Sequence, residues 1–229
     1  MIRTFKALSA LLTYPTDELQ RAMPALRECL AAEGVVNSDA RRALDPLFHD
    51  LAVNDLMDLQ ERYVLLFDRT RSLSLYLFEH VHGESRDRGQ AMIDLKAQYE
   101  QNGLAVSASE LPDFLPLFLE YLSTRPAPEA CEMLGQTAHI LEAVAERLRK
   151  RGSAYEAVFR ALVALAAEKP KAEMVAGLLS ESDHDPADLA ALDVAWEDEP
   201  VNFGHGAASA CKEGLIARIR AAKRPAARA

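Results

Sequence analysis

Leu56-Met57-Asp58-Leu59-Gln60-Glu61-Arg62-Tyr63-Val64-Leu65-Leu66-Phe67 is the stretch on which the fold class turns. Leu56, Leu59, Tyr63 and Leu66 recur at intervals of three and four, with Phe67 beside the last of them. Such spacing lays one apolar stripe along a helix, whereas a half-buried strand would need every second residue apolar. The same pattern extends to both sides. Phe5, Leu8, Leu11 and Leu12 predict a first helix that Pro15 stops, and Thr16-Asp17-Glu18 supplies a cap and an acidic first turn for the next. Pro24 is expected to break or kink that second helix, and another is expected to begin near Ser38.

Toward the C-terminus, Ser85–Gln101 reads as a helix carrying Met92, Leu95 and Tyr99, and Asn102-Gly103 ends it where glycine can turn left-handed. Glu110-Leu111-Pro112-Asp113 opens a short apolar helix. Pro128-Glu129 opens a long one through Leu134, Ala138, Leu141, Ala145 and Leu148, which Gly152 ends. Ser153 and Glu156 have the spacing of a capping box ahead of Tyr155, Val158, Phe159 and Leu162, Pro170 terminates that helix, and a last one is expected over Ala172–Leu179.

The composition agrees. Ten glycines and eleven prolines in 229 residues are few, and 49% hydrophobic residues are ample for one sizeable core. With no fixed-period repeat, the reading is all-α, a single irregular helical bundle of about eight to ten helices. Ser180-Glu181-Ser182-Asp183-His184-Asp185-Pro186 shifts the composition to acidic and turn-forming, so the helical domain is read as 1–185 and a C-terminal tail as 186–229. That tail is acidic around Trp196 and basic around Leu215, Ile216 and Ile219. It reads either as a disordered terminus or as a partly helical segment tethered to the bundle.

A net charge of -9 argues against a nucleic-acid partner, whose binding needs a basic face. Cys29, Cys131 and Cys211 are scattered, which suggests neither a disulfide framework nor a cysteine metal site and points to a reducing, cytoplasmic setting. The apolar start closes at Tyr14-Pro15, too short for membrane insertion and without a cleavage region.

Chemistry-bearing residues concentrate between Tyr76 and Gly89. His80, His82 and Glu84 permit a metal reading, and with Asp113 a metal- or nucleotide-dependent helical enzyme, although an i, i+2 histidine pair diverges on a helix. The alternative is a junction that packs His80 and laces Glu84, Arg86, Asp87 and Arg88 into local ion pairs, or one that grips a partner chain. No nucleophile elbow, phosphate loop, H-E-x-x-H or dinucleotide fingerprint occurs. The aromatic stripe from Tyr63 to Tyr121 reads either as core or as a groove with an acidic rim.

Glu61-Arg62-Tyr63-Val64-Leu65-Leu66-Phe67-Asp68-Arg69, followed by Ser72-Leu73-Ser74-Leu75-Tyr76-Leu77-Phe78-Glu79-His80-Val81-His82-Gly83-Glu84-Ser85-Arg86-Asp87-Arg88-Gly89-Gln90-Ala91-Met92, resembles the nitrate reductase molybdenum cofactor assembly chaperones. The likeness continues through Glu110-Leu111-Pro112-Asp113-Phe114-Leu115-Pro116-Leu117-Phe118-Leu119-Glu120, Leu11–Pro15 and Trp196–Val201. These are a branch of the redox-enzyme maturation chaperones related to TorD and DmsD, all-helical proteins that bind leader-like peptides of molybdoenzymes. The resemblance implies a non-enzyme without a cofactor of its own. It also implies that the N-terminal peptide of the nitrate reductase catalytic (alpha) subunit is a partner, with molybdenum cofactor biosynthesis proteins as further ones. Assisting molybdenum cofactor insertion and delaying membrane docking would be its tasks.

Carried over residue by residue, the family's Y/W-x-x-L-F element falls on Tyr63, Leu66 and Phe67, and its E-x-P-D-H element on Glu110, Pro112 and Asp113. Phe114 stands where that element has histidine, so any role of the histidine, the guanine-nucleotide binding proposed for some relatives included, does not carry over. The expected peptide-binding set is Tyr63, Leu66, Phe67, Leu75, Tyr76, Glu79, His80, Glu110, Asp113 and Phe114, with Asp113 and Glu79 as acidic rim.

Overall fold

The computed structural model describes residues 2–82, 86–106 and 110–180, whose regular elements are all helices, as expected. Helix α1 (Arg3–Leu11) leads to α2 (Asp17–Glu33), where the Thr16 hydroxyl accepts the Leu19 N–H at 3.1 Å, the cap that the sequence announces. Glu33 then reaches back to the start of α1 and accepts from Arg3 N at 3.0 Å and Thr4 N at 2.6 Å. One carboxylate thereby satisfies two N–H groups that a helix cannot satisfy itself. The break allowed for at Pro24 does not occur, and α2 runs on past it. The ring faces solvent, so the helix forfeits a bond without burying an unpaired carbonyl.

Asn37 caps α3 (Ser38–Ala43), α4 (Asp45–Val53) follows, and Asp55 caps α5 (Leu56–Tyr63). Helix α5 does not end at Tyr63 but widens into a π-helical turn over Val64–Asp68, closed by Arg69 N–H to Val64 O at 3.0 Å. Thr70 Oγ1 donates to Leu65 O at 2.9 Å and occupies a carbonyl that the wider turn leaves open. A 3-10 turn at Arg71–Leu73, the short α6 (Glu79–His82) and α7 (Arg86–Gln101) come next. Gly103, at φ +81°, ends α7 as the glycine signal predicted.

Helices α8 (Leu115–Ser123), α9 (Ala127–Gly135), α10 (Ala138–Lys150), α11 (Glu156–Leu165) and α12 (Ala172–Leu179) complete the bundle. The long helix expected from Pro128 to Gly152 is two helices, broken at Gln136–Thr137. The cause lies thirty residues downstream. Ala167 N–H donates to Cys131 O at 2.9 Å, and this brings the chain so close that a Cβ on Gly135 would meet Glu168 N at 3.0 Å. The expected capping box is absent as well: Glu156 pairs with Arg160 instead of returning to Ser153.

Helix α10 is the axis of the second half, packed on both α11 and α12, while α1 rests on α2 and α8. Its Arg147 is 1% exposed, a cation in the core. It donates to Ser72 O at 2.8 Å and Leu178 O at 2.5 Å, so it binds the 3-10 turn and the end of α12 to one point. A buried guanidinium is tolerable only with such partners. No described helix is long and apolar enough to cross a membrane. The boundary expected near 185 and the tail 186–229 lie outside the described residues.

Gly135→Val should lower unfolding stability by about 1–3 kcal/mol, because a branched side chain must push the Glu168 backbone away. Urea denaturation reads this directly, and an unchanged midpoint would refute the close approach as the reason for the break.

Candidate functional site

Tyr63, Leu66 and Phe67 stand at i, i+3 and i+4, so they share one face through the π-helical turn, and all three are buried, as is Leu75. Tyr63 donates its hydroxyl to Leu12 O at 2.9 Å, its ring lies 5.0 Å from Phe67, and Phe67 meets Tyr155 edge-on at 5.1 Å. Tyr14 covers Tyr63 from outside at 5.6 Å. Four of the expected contact residues thus form a floor beneath the surface.

Above this floor, the segment after the 3-10 turn is stitched to the start of α8. Leu115 N–H donates to Leu75 O at 2.8 Å and Leu77 N–H to Asp113 O at 3.0 Å, an isolated antiparallel bridge centred on Tyr76 and Phe114. A third bond runs from Phe78 N–H to Asp113 Oδ2 at 3.1 Å. Asp113 is 0% exposed, so it is no part of an acidic rim in this arrangement. It holds the junction from within. Burial pushes its carboxyl up to about 6, against the opposing pull of the Phe78 N–H bond, and Oδ1 has no partner among the described residues. Glu110-Leu111-Pro112-Asp113 was expected to open a helix; it forms the turn before one, with α8 starting at Leu115. Tyr99, from α7, fixes that turn by donating to Pro112 O at 2.8 Å.

The bridge presents two rings together. Tyr76 and Phe114 are half-buried with centroids 5.3 Å apart, and Leu111 beside them is 47% exposed. Burial, then the charges of Glu110, Asp113, Asp68 and Glu79, push the Tyr76 hydroxyl above the usual phenol range. The charges that act on this ring are thus all acidic. Asp68 and Glu110 are exposed and paired with no cation among the described residues, whereas Glu79 is half-buried and lies 3.3 Å from Arg88. Asp68 and Leu111 were not anticipated. The available signal for Asp68 is its place at the polar end of the apolar stripe, directly after Phe67.

His80 faces inward. Its Nε2–H donates to Ser74 O at 2.8 Å, and burial holds the imidazole below the usual histidine range, hence neutral near pH 7. No group of three or more His, Cys, Asp or Glu suited to a metal occurs among the described residues. Glu84 and the side chain of His82 lie outside them. What the described residues assemble is an apolar face of two rings and a leucine, bordered by carboxylates and pinned from below.

Residues 15–161 match the family described as the nitrate reductase delta subunit. The chain is 45% identical to the nitrate reductase molybdenum cofactor assembly chaperone NarJ of Escherichia coli (strain K12), over 86% of this chain and 83% of that one. It is 42% identical to the probable chaperone of the same description, NarW, of that strain, over 92% and 87% respectively. Against the probable assembly chaperone NarJ of Bacillus subtilis (strain 168) the figure is 33%, over 70% and 86%.

Asp113 makes stability depend on pH in a definite direction. Because its folded pKa lies above the ordinary carboxylate value, the native state binds the proton more tightly, and the wild type gains stability as pH falls through about 6. Asp113→Asn cannot share that gain. The stability difference, variant minus wild type, should therefore fall by about 1 kcal/mol between pH 7.5 and pH 5 in paired urea titrations. A difference independent of pH would rule out the burial argument.

Proposed function

The chain belongs to the nitrate reductase delta subunit family, and from this premise we propose that it is an assembly chaperone for a respiratory nitrate reductase, not an enzyme. It holds the N-terminal segment of the catalytic subunit in the cytoplasm, assists molybdenum cofactor insertion, and delays docking to the membrane until loading is complete. Proteins that supply the molybdenum cofactor are its further partners. The observation that carries this reading is the half-buried pair Tyr76 and Phe114 with the exposed Leu111, acted on by the charges of Asp68, Glu79 and Glu110.

An amphipathic helix with a basic face needs apolar pockets for its anchors and carboxylates for its cations, and that is what this face presents. Phe114, Tyr76 and Leu111 make the apolar contact; Asp68, Glu79 and Glu110 receive the charge. Tyr63, Leu66, Phe67 and Leu75 form the floor, and Asp113 and His80 hold the junction in shape. Long-range attraction to exposed carboxylates accelerates encounter and is screened by salt.

Calorimetric titration with a synthetic peptide of the catalytic subunit's N-terminus tests this. Asp68→Lys with Glu110→Lys should weaken binding at least about tenfold at low salt, with the melting temperature unmoved, since neither side chain supports the fold. Affinity unchanged in that folded variant would remove the acidic frame from the site. No binding by the wild type would remove the peptide reading altogether.

A further inference from the structure

Between α2, α3 and α4 lies a hollow of about 230 Å³ that shares no residue with the Tyr76–Phe114 face. Leu30 and Phe48 give it an apolar wall, and Arg27, Arg41 and Arg42 line it together with one acid, Asp45. Asp39 meets Arg42 from outside this lining, so even with both acids counted positive charge is in excess. That is the reverse of the chain as a whole, whose net charge is -9. Like charges gathered around one concavity repel one another, and an anion seated among them offsets that repulsion.

Each of these guanidinium groups is held by one bond and keeps donors to spare. Arg27 engages Asp45 through Nη2, and its Cζ lies over the Phe48 ring, 5.6 Å from the centroid. Arg41 donates from Nη1 to Ala31 O at 3.1 Å, in the last turn of α2, and has no carboxylate partner among the described residues. Arg42 reaches Asp39 through Nη2. A guanidinium carries five N–H donors, so one bond apiece orients these side chains without exhausting them. The two ion pairs join exposed side chains, the kind of pair that contributes little and yields to a stronger acceptor.

Size and charge narrow the ligand class. Cavities for drug-sized ligands run to about 300–1,000 Å³, so this one takes a compact molecule. A peptide carboxylate brings one charge to three cations, whereas a phosphate group brings about two, with several acceptor oxygens for forked donors. Nucleic acid or an anionic bilayer would set the repulsion of the whole acidic chain against this local attraction. A small ligand seated within a Debye length of the arginines, about 8 Å at physiological salt, feels mainly them. The apolar wall favours an organic substituent over bare phosphate. We infer that the hollow binds a small phosphate monoester, with Arg41 and Arg42 on the phosphate oxygens and the organic part against Leu30 and Phe48.

Calorimetric titration of the full chain tests this, with phenyl phosphate, inorganic phosphate and acetate as probes at matched ionic strength. Phenyl phosphate should bind one-to-one, about threefold or more tightly than inorganic phosphate; the two should compete, and acetate should displace neither. Arg41→Gln with Arg42→Gln should weaken phenyl phosphate binding at least about tenfold. Arg42→Glu alone, at an exposed side chain, should weaken it as well and serves if the double variant does not fold. Acetate binding as tightly as phenyl phosphate, or full affinity in the folded variants, would overturn the inference. Inorganic phosphate binding as tightly as phenyl phosphate would overturn the assignment to a monoester. Binding to phosphatidic acid vesicles with none to phenyl phosphate would make the hollow a membrane contact instead, and tighter binding of an oligoglutamate peptide would make it a site for acidic chains; either result would overturn the small-ligand reading.

Discussion

Three hydrogen bonds between Leu75–Phe78 and Asp113–Leu115 are the constraint on which the surface depends. Two are backbone to backbone, and the third uses the Asp113 carboxylate to engage the Phe78 N–H. Without them the segment between the 3-10 turn and α6 has no regular partner, since α6 is too short to anchor it. With them, Tyr76 and Phe114 are held side by side although 38 positions apart in sequence. A holding surface benefits from such rigidity, because rings already in place cost little entropy when a partner arrives.

The charges are arranged by depth. Asp113 is sunk and serves geometry, Glu79 is half-buried and moderated by Arg88, and Asp68 and Glu110 face solvent. Only the last two retain a field that extends into water, so long-range attraction and short-range order fall to different residues. Arg147 applies the same division on the cationic side: its charge is spent inside, on Ser72 and Leu178 carbonyls, and adds little to the outer surface.

Local chemistry was legible and distant chemistry was not. Thr16 with its acidic turn, Gly103 and Gly152 mark helix ends through interactions within a few residues, and each end falls where the sequence puts it. The break after Gly135 depends on Ala167 and Glu168, which no window around Gly135 contains. Whether Pro24 breaks α2 depends on which face of the helix meets solvent, which no local window contains. For the candidate site, the aromatic stripe and the acids near Asp113 drew attention to segments that the structure joins at the Tyr76–Phe114 bridge. Depth was out of reach: burial of Asp113 goes with a bond from the Phe78 N–H, 35 positions away in sequence, whereas Leu66 and Phe67 face inward with Tyr63 as their spacing already implies.

That winding also makes the stretch from Val64 to Asp68 a matter of counting. An α-helical turn there would need one residue fewer to cover the same rise, and each residue advances a helix by about 100°. Loss of one of the five would let the turn revert to ordinary winding over nearly the same rise, so the chain beyond Asp68 would leave the helix from almost the same point, and what changes is which side chains within the turn meet the core. Length at this point is therefore more forgiving than composition: the odd residue is taken up within a single turn, and the packing beneath the rings depends on which side chains that turn carries inward.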